Sequence, residues 1–368
     1  MGRFSSFGHH LYEGRISFDF VGRRKVWYGI SIAILVLSSL AFAARGFNMG
    51  IEFKGGVEFT AKVATADQTT IDDLTAAVEG AHIPEAGDPI ASTSGSDAVR
   101  VQTKPLTQDQ AETIQKALTD AGAIEVSQNL IGPSWGEQVA KKALTGLIVF
   151  VLIVVVFIWI YFREWRMSVA AIVALAHDLL ITAGVYAWSG FEVTPATVTG
   201  LLTILGYSLY DTVVVFDKVK ENTRAIPGSL THTYAEEANL AVNQTLVRSI
   251  NTAVTALLPV VALLIVGTVV LGTGPLKDLA LALAVGMAAG TYSSIFIATP
   301  LASQLKEHDA SIREHTRRVL TIRAKSASNG SASAESAAAM ARRRPVLSTG
   351  SAKRRQPCRD SRSARRGG

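Results

Sequence analysis

Asp211 is the only charged residue in the run 200–216, GLLTILGYSLYDTVVVF. A carboxylate at the centre of a helix in lipid costs roughly 2.5–3.5 kcal/mol even on the most lenient insertion scale. Such acids face a bundle interior or a water-filled path, and they commonly carry protons or ions. A second acid, Asp178, follows His177 in AAIVALAHDLLITAGV. It lies ten residues past Ser168, roughly 15 Å into its helix, whereas Asp211 lies five residues before Phe216, roughly 8 Å from the edge. Arg248 falls near the start of the next apolar run, in Gln244-Thr245-Leu246-Val247-Arg248-Ser249, at a depth similar to that of Asp211. An arginine beside a carboxylate favours the ionised form and burial favours the neutral one. The chemistry these residues predict is proton uptake and release at Asp211, biased by an Asp211–Arg248 pair, with Asp178 and His177 as weaker proton-coupling candidates. The structural alternatives are an Arg248 that snorkels to headgroups, an Asp178 that satisfies backbone or the Thr182 hydroxyl, a His177 that donates to a carbonyl, and an interfacial anchor at Asp217. The sequence has no metal-ligand spacing, nucleophile motif or Walker-type loop, so neither an enzyme nor a cofactor is expected.

These residues need a membrane bundle to hold them. The chain has 368 residues, 48% of them hydrophobic. Six apolar runs, 26–44, 143–162, 168–188, 196–216, 250–271 and 279–301, are each long enough to cross about 30 Å of hydrocarbon. Arg23, Arg24 and Lys25 precede the first, Arg163 and Arg166 follow the second, and Lys218, Lys220 and Arg224 follow the fourth. The loop 189–195 has no Lys or Arg. The excess of positive charge on one side predicts that both termini are cytoplasmic. The first run imitates a signal peptide but is too long and too far from the start, and it reads as an uncleaved anchor.

The spacing of the runs predicts a cytoplasmic N-terminus over 1–25, a first span over 26–44, an extracytoplasmic domain over 45–142 and five further spans over 143–301. In the domain, 57–63 alternates as a strand, 69–79 has helical spacing, 89–93 and 98–103 read as a hairpin, 107–121 is helical and 124–130 is a strand. Thr107 and Gln110 form a capping box at the start of the second helix. The order βαββαβ is ferredoxin-like. A helical cytoplasmic extension is expected over 302–325, and a disordered basic tail over 326–368. That tail holds ten of the basic residues against one acid from Arg342 to Arg366, so the formal net charge of +6 belongs to it. Anionic lipid headgroups are a possible partner for it. The single cysteine, Cys358, lies there as well, so no intrachain disulfide is possible.

Several motifs occur in order along the chain: Phe53-Lys54-Gly55-Gly56; Gly132-Pro133-Ser134-Trp135-Gly136; Ala176-His177-Asp178; and a block running from Gly206-Tyr207-Ser208 through Asp211 and Asp217 to Glu221-Asn222. On these the chain resembles the SecF family of bacterial protein-export membrane subunits, related to the RND transporters, from about residue 18 to about residue 305. The resemblance implies a six-helix RND-like half-bundle in the cell membrane. It implies pairing with SecD, association with the SecYEG channel and often YajC, and use of the proton-motive force to complete export of unfolded preproteins. The family's functional aspartate falls on Asp211 and its arginine on Arg248. Many members carry Asn where this chain has Tyr210. A structural assembly subunit, or half of an RND-type exporter of lipid or small molecules, are the alternative readings.

Overall fold

Helix α1 (Arg24–Arg45) opens the folded part of the computed structural model, which describes residues 17–228, 230–269 and 275–342. Beyond it come the short strand β1 (Asn48–Met49) and a one-turn helix, α2 (Ile51–Lys54). A domain of β2 (Gly56–Lys62), α3 (Gln68–Gly80), β3 (Ile90–Thr93), β4 (Ala98–Thr103), α4 (Gln108–Asp120) and β5 (Glu125–Ile131) follows. Its sheet order is β3-β4-β2-β5, antiparallel throughout, which is the ferredoxin-like arrangement that the element order predicts.

Alternation along the strands builds the domain core. Val57, Phe59 and Ala61 on β2 and Val99 and Val101 on β4 point to one face, where Leu74 and Val78 of α3 and Ala111, Ile114 and Leu118 of α4 cover them. Period-two strands against period-3.6 helices present their apolar residues to one another in this way. Asp67 caps α3 by accepting from the Thr70 amide at 2.8 Å, and Thr107 and Gln110 form the reciprocal box at α4.

The chain then enters the bundle. Gly132 and Pro133 start α5 (Pro133–Phe162), a helix start in which the fixed φ of proline is already helical. Next are α6 (Trp165–Ser189), strand β6 (Glu192–Val193), α7 (Pro195–Thr223), α8 (Tyr234–Val269) and α9 (Pro275–Ser293). A π-helical segment, Ser294–Ala298, joins α9 to α10 (Thr299–Glu307). Six of these stretches are long and apolar enough to cross a membrane. Helices α6, α7 and α9 are the buried centre, while α1, α5 and α8 are largely open on their outer faces.

Several boundaries differ from the sequence expectation: α5 starts at Pro133, ten residues before the expected span and inside the 45–142 stretch, and α7 runs to Thr223, past 216. The fifth run was expected to begin at residue 250, but α8 starts at Tyr234. Thr233 and Glu236 form a capping box there, with Thr233 N donating to Glu236 Oε2 at 2.8 Å and Glu236 N to Thr233 Oγ1 at 3.3 Å. Residues 234–249 are amphipathic rather than uniformly apolar, and they bury Ala238, Ala241 and Val242. A hydropathy threshold misses such a stretch, and Arg248 consequently lies about four turns into its helix rather than in the first. At the other end, α10 stops at Glu307 and α11 (Ala310–Arg342) continues as helix through residues 326–342, where composition suggested an unfolded tail. The Ala-rich SASAESAAAMAR favours helix intrinsically. The chain divides into two units after Arg317. Residues 1–16 and 343–368, with Cys358 and most of the basic cluster, lie outside the described residues.

Asn239 and Asn243, one turn apart on α8, bind the segment that precedes α1. Asn239 Oδ1 accepts from Phe20 N at 2.8 Å, and Asn243 Oδ1 accepts from Phe18 N at 2.8 Å while its amide donates to Phe18 O at 2.9 Å. This clamp fixes the entry of α1 into the bundle.

Candidate functional site

Helices α7 and α9 approach closely enough for hydroxyl groups to reach a buried acid. Gly200 faces Ala282, Ile204 faces Gly286 and Ser208 faces Gly290, at steps of four residues on both helices. A Cβ on Gly200 would stand 2.7 Å from the Ala282 Cβ. Small residues at such spacing let two backbones come into contact, the usual packing of helices in lipid.

At this crossing lie both acids. Asp178 is wholly buried and Asp211 is 4% exposed. Asp178 Oδ2 accepts from Ser208 Oγ of α7 at 2.5 Å and from Ser293 Oγ of α9 at 2.9 Å. Its Oδ1 is 3.4 Å from His177 Nδ1, and the His177 ring stacks on Tyr292 with centroids 6.0 Å apart. The Thr182 hydroxyl donates to the Asp178 main-chain carbonyl at 2.8 Å and does not bond the carboxylate. Asp211 Oδ1 accepts from Ser249 Oγ of α8 at 2.7 Å, and its Oδ2 accepts from Ser294 Oγ in the π segment. Four serines, on α7, α8, α9 and the π segment, therefore clasp two carboxylates. The sequence marks Ser208 as a motif residue and a small residue near Asp211, and carries no signal for Ser249, Ser293 or Ser294. Serines are unremarkable in small-residue membrane helices, and only the crossing shows which ones face an acid.

The Asp211–Arg248 pair expected from the sequence is not formed. Arg248 Nη2 donates to the Tyr210 hydroxyl at 3.3 Å, on an exposed face. Residues 248 and 249 are neighbours on α8, and a helix turns about 100° per residue. Ser249 takes the inward direction toward Asp211, so Arg248 cannot. Gly206 lies away from both acids' helix contacts. It is exposed, with open space where a Cβ would stand, and takes no part in the α7–α9 contact. Tyr207 is half-buried on α7. Asp217 accepts from Tyr161 at 2.6 Å and Asn222 donates to Gln244 at 2.9 Å, tying the end of α7 to α5 and α8, while Glu221 accepts from Lys218 at 2.8 Å within α7.

The glycine motifs meet at the joint between domain and bundle. Gly55 has φ +76° and Gly56 φ +153°, conformations that side chains rarely adopt. A Cβ on Gly55 would stand 2.8 Å from Pro133 Cα, and one on Gly136 would stand 2.8 Å from Gly55 N. Phe53 is buried beside them. The two motifs are thus one packing unit, through which the chain leaves the bundle and returns.

A second connection runs alongside. Strand β1 pairs with β6 in parallel, and Arg100 of β4 donates to Glu192 of β6 at 2.6 Å and to Glu58 of β2 at 3.2 Å. Gln102 bonds the same two acids. Beyond β6, Thr194 caps α7 and donates to Asp278 of α9 at 3.2 Å. Glu52 of α2 lies among these acids. Burial pushes its carboxyl above the usual carboxylate range, and Glu58, Glu192 and Asp278 add to the effect. The buried Glu52 Oε2 has no hydrogen-bond partner.

Among the described residues no group of His, Cys, Asp and Glu could hold a metal ion. The chemistry available is that of acids and hydroxyls inside a bundle of membrane length, with one domain jointed to it, and this defines a polytopic membrane protein with charge buried at its helix crossings. The family model for the C-terminal part of the protein export membrane proteins SecD and SecF matches residues 110–308, and that for the SecD/SecF GG motif matches residues 40–67. The chain is similar to the protein translocase subunit SecF of Streptomyces coelicolor, at 49% identity over 341 residues, covering 92% of this chain and 90% of the relative. It is 43% identical to the SecF of Mycobacterium tuberculosis over 87% of this chain and 75% of that one. The crystal structure of SecDF, a translocon-associated membrane protein from Thermus thermophilus, superposes with a TM-score of 0.69 at 31% identity, covering 80% of this chain and 39% of that chain. The chain belongs to the SecD/SecF protein-export family.

Proposed function

We propose that this chain acts in preprotein export as a SecF-type subunit whose Asp211 takes up and releases protons driven by the proton-motive force. The observation that carries the reading is the setting of Asp211, buried at the crossing of α7, α8 and the π segment and held by two hydroxyls, with no ion-pair partner among the described residues. A hydroxyl donates to a carboxylate and, turned about its C–O bond, accepts from a carboxylic acid. The clasp therefore satisfies either charge state. Each proton that crosses 100 mV supplies about 2.3 kcal/mol, enough to bias a two-state motion of the domain roughly fifty-fold.

In this reading both termini are cytoplasmic, the β2–β5 domain is extracytoplasmic, and the chain is not an enzyme. It works in the bacterial cell membrane with SecD, the SecYEG channel and YajC on unfolded preproteins. Two features support a second half from SecD. The relative from Thermus thermophilus is named SecDF, and α7, the helix of Asp211, keeps Thr199, Thr203, Gly206 and Tyr210 exposed along one face. Arg248, at the edge of that face, would approach Asp211 only after α7 or α8 turns.

The serine clasps also favour a second reading, in which the acids only hold helices together. Asp211→Asn separates the two, since the amide keeps hydrogen bonds to both serines but cannot cycle a proton. The expected result is normal assembly with SecD and loss of proton-stimulated export in membrane vesicles. Full proton stimulation in that variant overturns the proton role, and failure to assemble supports the structural one.

A further inference from the structure

The two acids are reached by adjacent residues of one segment. Ser293, the last residue of α9, donates to Asp178, and Ser294, the first of the π segment, donates to Asp211. Both serines are fully buried. π-helical turns are rare and tend to occur as single turns at functional positions. This one has a local cause. Pro300 lies two residues beyond its end, lacks an N–H, and in a regular α-helix would press its ring on the carbonyl of residue 296. The Thr299 hydroxyl donates at 3.2 Å to the carbonyl of Ser294, five residues back, and so satisfies a carbonyl of the widened turn.

A widened turn holds one residue more than an α-helical one. Its return to α geometry would rotate α9 relative to α10 by about 100°, or an equivalent part of that shared between them. Ser294, inside the turn, could not then keep Asp211 while α9 kept Gly286 and Gly290 on α7 and Ser293 on Asp178. The π turn and the two clasps are thus one geometric unit. The opposite end of α9 carries Asp278, which bonds Thr194 beside β6, and Glu192 of β6 bonds Arg100 of the domain.

We propose that the segment Ser294–Ala298 is a joint set by the charge on Asp211, with Ser293 and Ser294 as its positioning residues. A hydrogen bond to an ionised carboxylate is roughly twice as strong as one between neutral groups. Ionised Asp211 holds Ser294 and keeps the turn widened. When Asp211 takes a proton the bond weakens, the turn relaxes toward α geometry, and α9 shifts along α7, carrying Ser293 on Asp178 and Asp278 at the domain joint. The other titratable groups around the acids are His177 of α6, Tyr207 and Tyr210 of α7, Arg248 of α8 and Tyr292 of α9. Arg248 is engaged by Tyr210 and His177 lies against Asp178 and Tyr292.

The inference rests on the reading that Asp211 cycles a proton, and the test separates the two. Amide hydrogen exchange over residues 290–299 and proton-stimulated export are measured in the assembled complex for the natural chain, Ser294→Ala, Ser294→Thr and Asp211→Asn. Loss of one hydrogen bond to a charged group, in Ser294→Ala, or its weakening to a neutral one, in Asp211→Asn, is expected to give exchange up to about tenfold faster, together with reduced proton stimulation. Ser294→Thr keeps the hydroxyl and is expected to behave as the natural chain in both measurements. Natural exchange and export in Ser294→Ala overturn the joint even where Asp211→Asn abolishes proton stimulation. Full proton stimulation in Asp211→Asn overturns the proton reading on which the joint's control rests.

Discussion

Gly290 stands directly against Ser208, so that a Cβ on the glycine would lie 2.9 Å from the serine Cβ and 3.1 Å from its hydroxyl. The same hydroxyl makes the 2.5 Å bond to Asp178. Packing at this crossing and satisfaction of a wholly buried acid are therefore one constraint. Gly290→Ala forces α7 and α9 apart or turns Ser208 away, and overpacking of this kind costs about 1–3 kcal/mol. The expected outcome is a fall of several degrees in the melting temperature of the purified chain. Gly206→Ala is the control. It meets open space, and the helix preference of alanine should leave the melting temperature equal or slightly higher. Equal behaviour of the two variants would show that the crossing is not tight.

Tyr210 accepts a 3.3 Å hydrogen bond from Arg248 on the exposed face of α7 and α8. Tyr210 is 53% exposed, so Tyr210→Phe should not alter the fold. It frees the guanidinium to approach the acid whenever α7 or α8 turns, and there to stabilise its charge. Proton-stimulated export should shift its pH profile to the acid side, with assembly unchanged. A profile identical to that of the natural chain would mean that the tyrosine does not restrain Arg248 in the working complex.

The fold was largely legible in the sequence, because its signals are local. Run length marks a membrane helix, period two marks β2 and β4, and Thr107 with Gln110 marks the start of α4. The start of α8 was also available, in Thr233-x-x-Glu236, but hydropathy outweighed the cap. The site was legible only in its acids. Buried charge stands out in lipid, so Asp178 and Asp211 announce themselves. Their partners do not, because Ser249, Ser293 and Ser294 come from other helices and the crossing geometry selects them. The Asp211–Arg248 pairing failed because similar depth does not fix the direction of a side chain around the helix. The π turn was hinted at by Pro300, but a proline alone does not distinguish a kink from a widened turn.

Arg100 ties the domain to the loop before α7, and its partner Glu192 is only 12% exposed at the side chain. Glu192→Ala leaves the guanidinium with Glu58 alone and removes an acceptor of Gln102. Loss of a charged hydrogen bond at a partly buried site costs about 1–3 kcal/mol. The domain itself should remain folded, since its core lies on the other side of the sheet from this pair. Faster hydrogen exchange is expected at residues 48–49 and 192–193, where β1 pairs with β6, with exchange in β2 and β5 unchanged. Equal acceleration across the whole domain would show that Glu192 supports the domain fold and not its attachment.

Glu52 makes that attachment sensitive to pH. Its carboxyl is raised above the ordinary value by burial first, and by Glu58, Glu192 and Asp278 next. A group with a folded value above the unfolded one contributes stability that is complete below the unfolded value and is lost as pH rises through the folded one. The unfolded value is near 4.5, so the joint should be tightest in mild acid and should loosen as the pH climbs toward neutrality. Glu52→Gln removes the charge and keeps the shape. It should raise the melting temperature at about pH 7, change it little at about pH 4, and flatten the dependence between. In the proposed orientation, acidification of the domain side would firm the grip of α2 on the bundle. A variant whose melting temperature still falls across the same interval would place the pH sensitivity on another carboxylate of the joint.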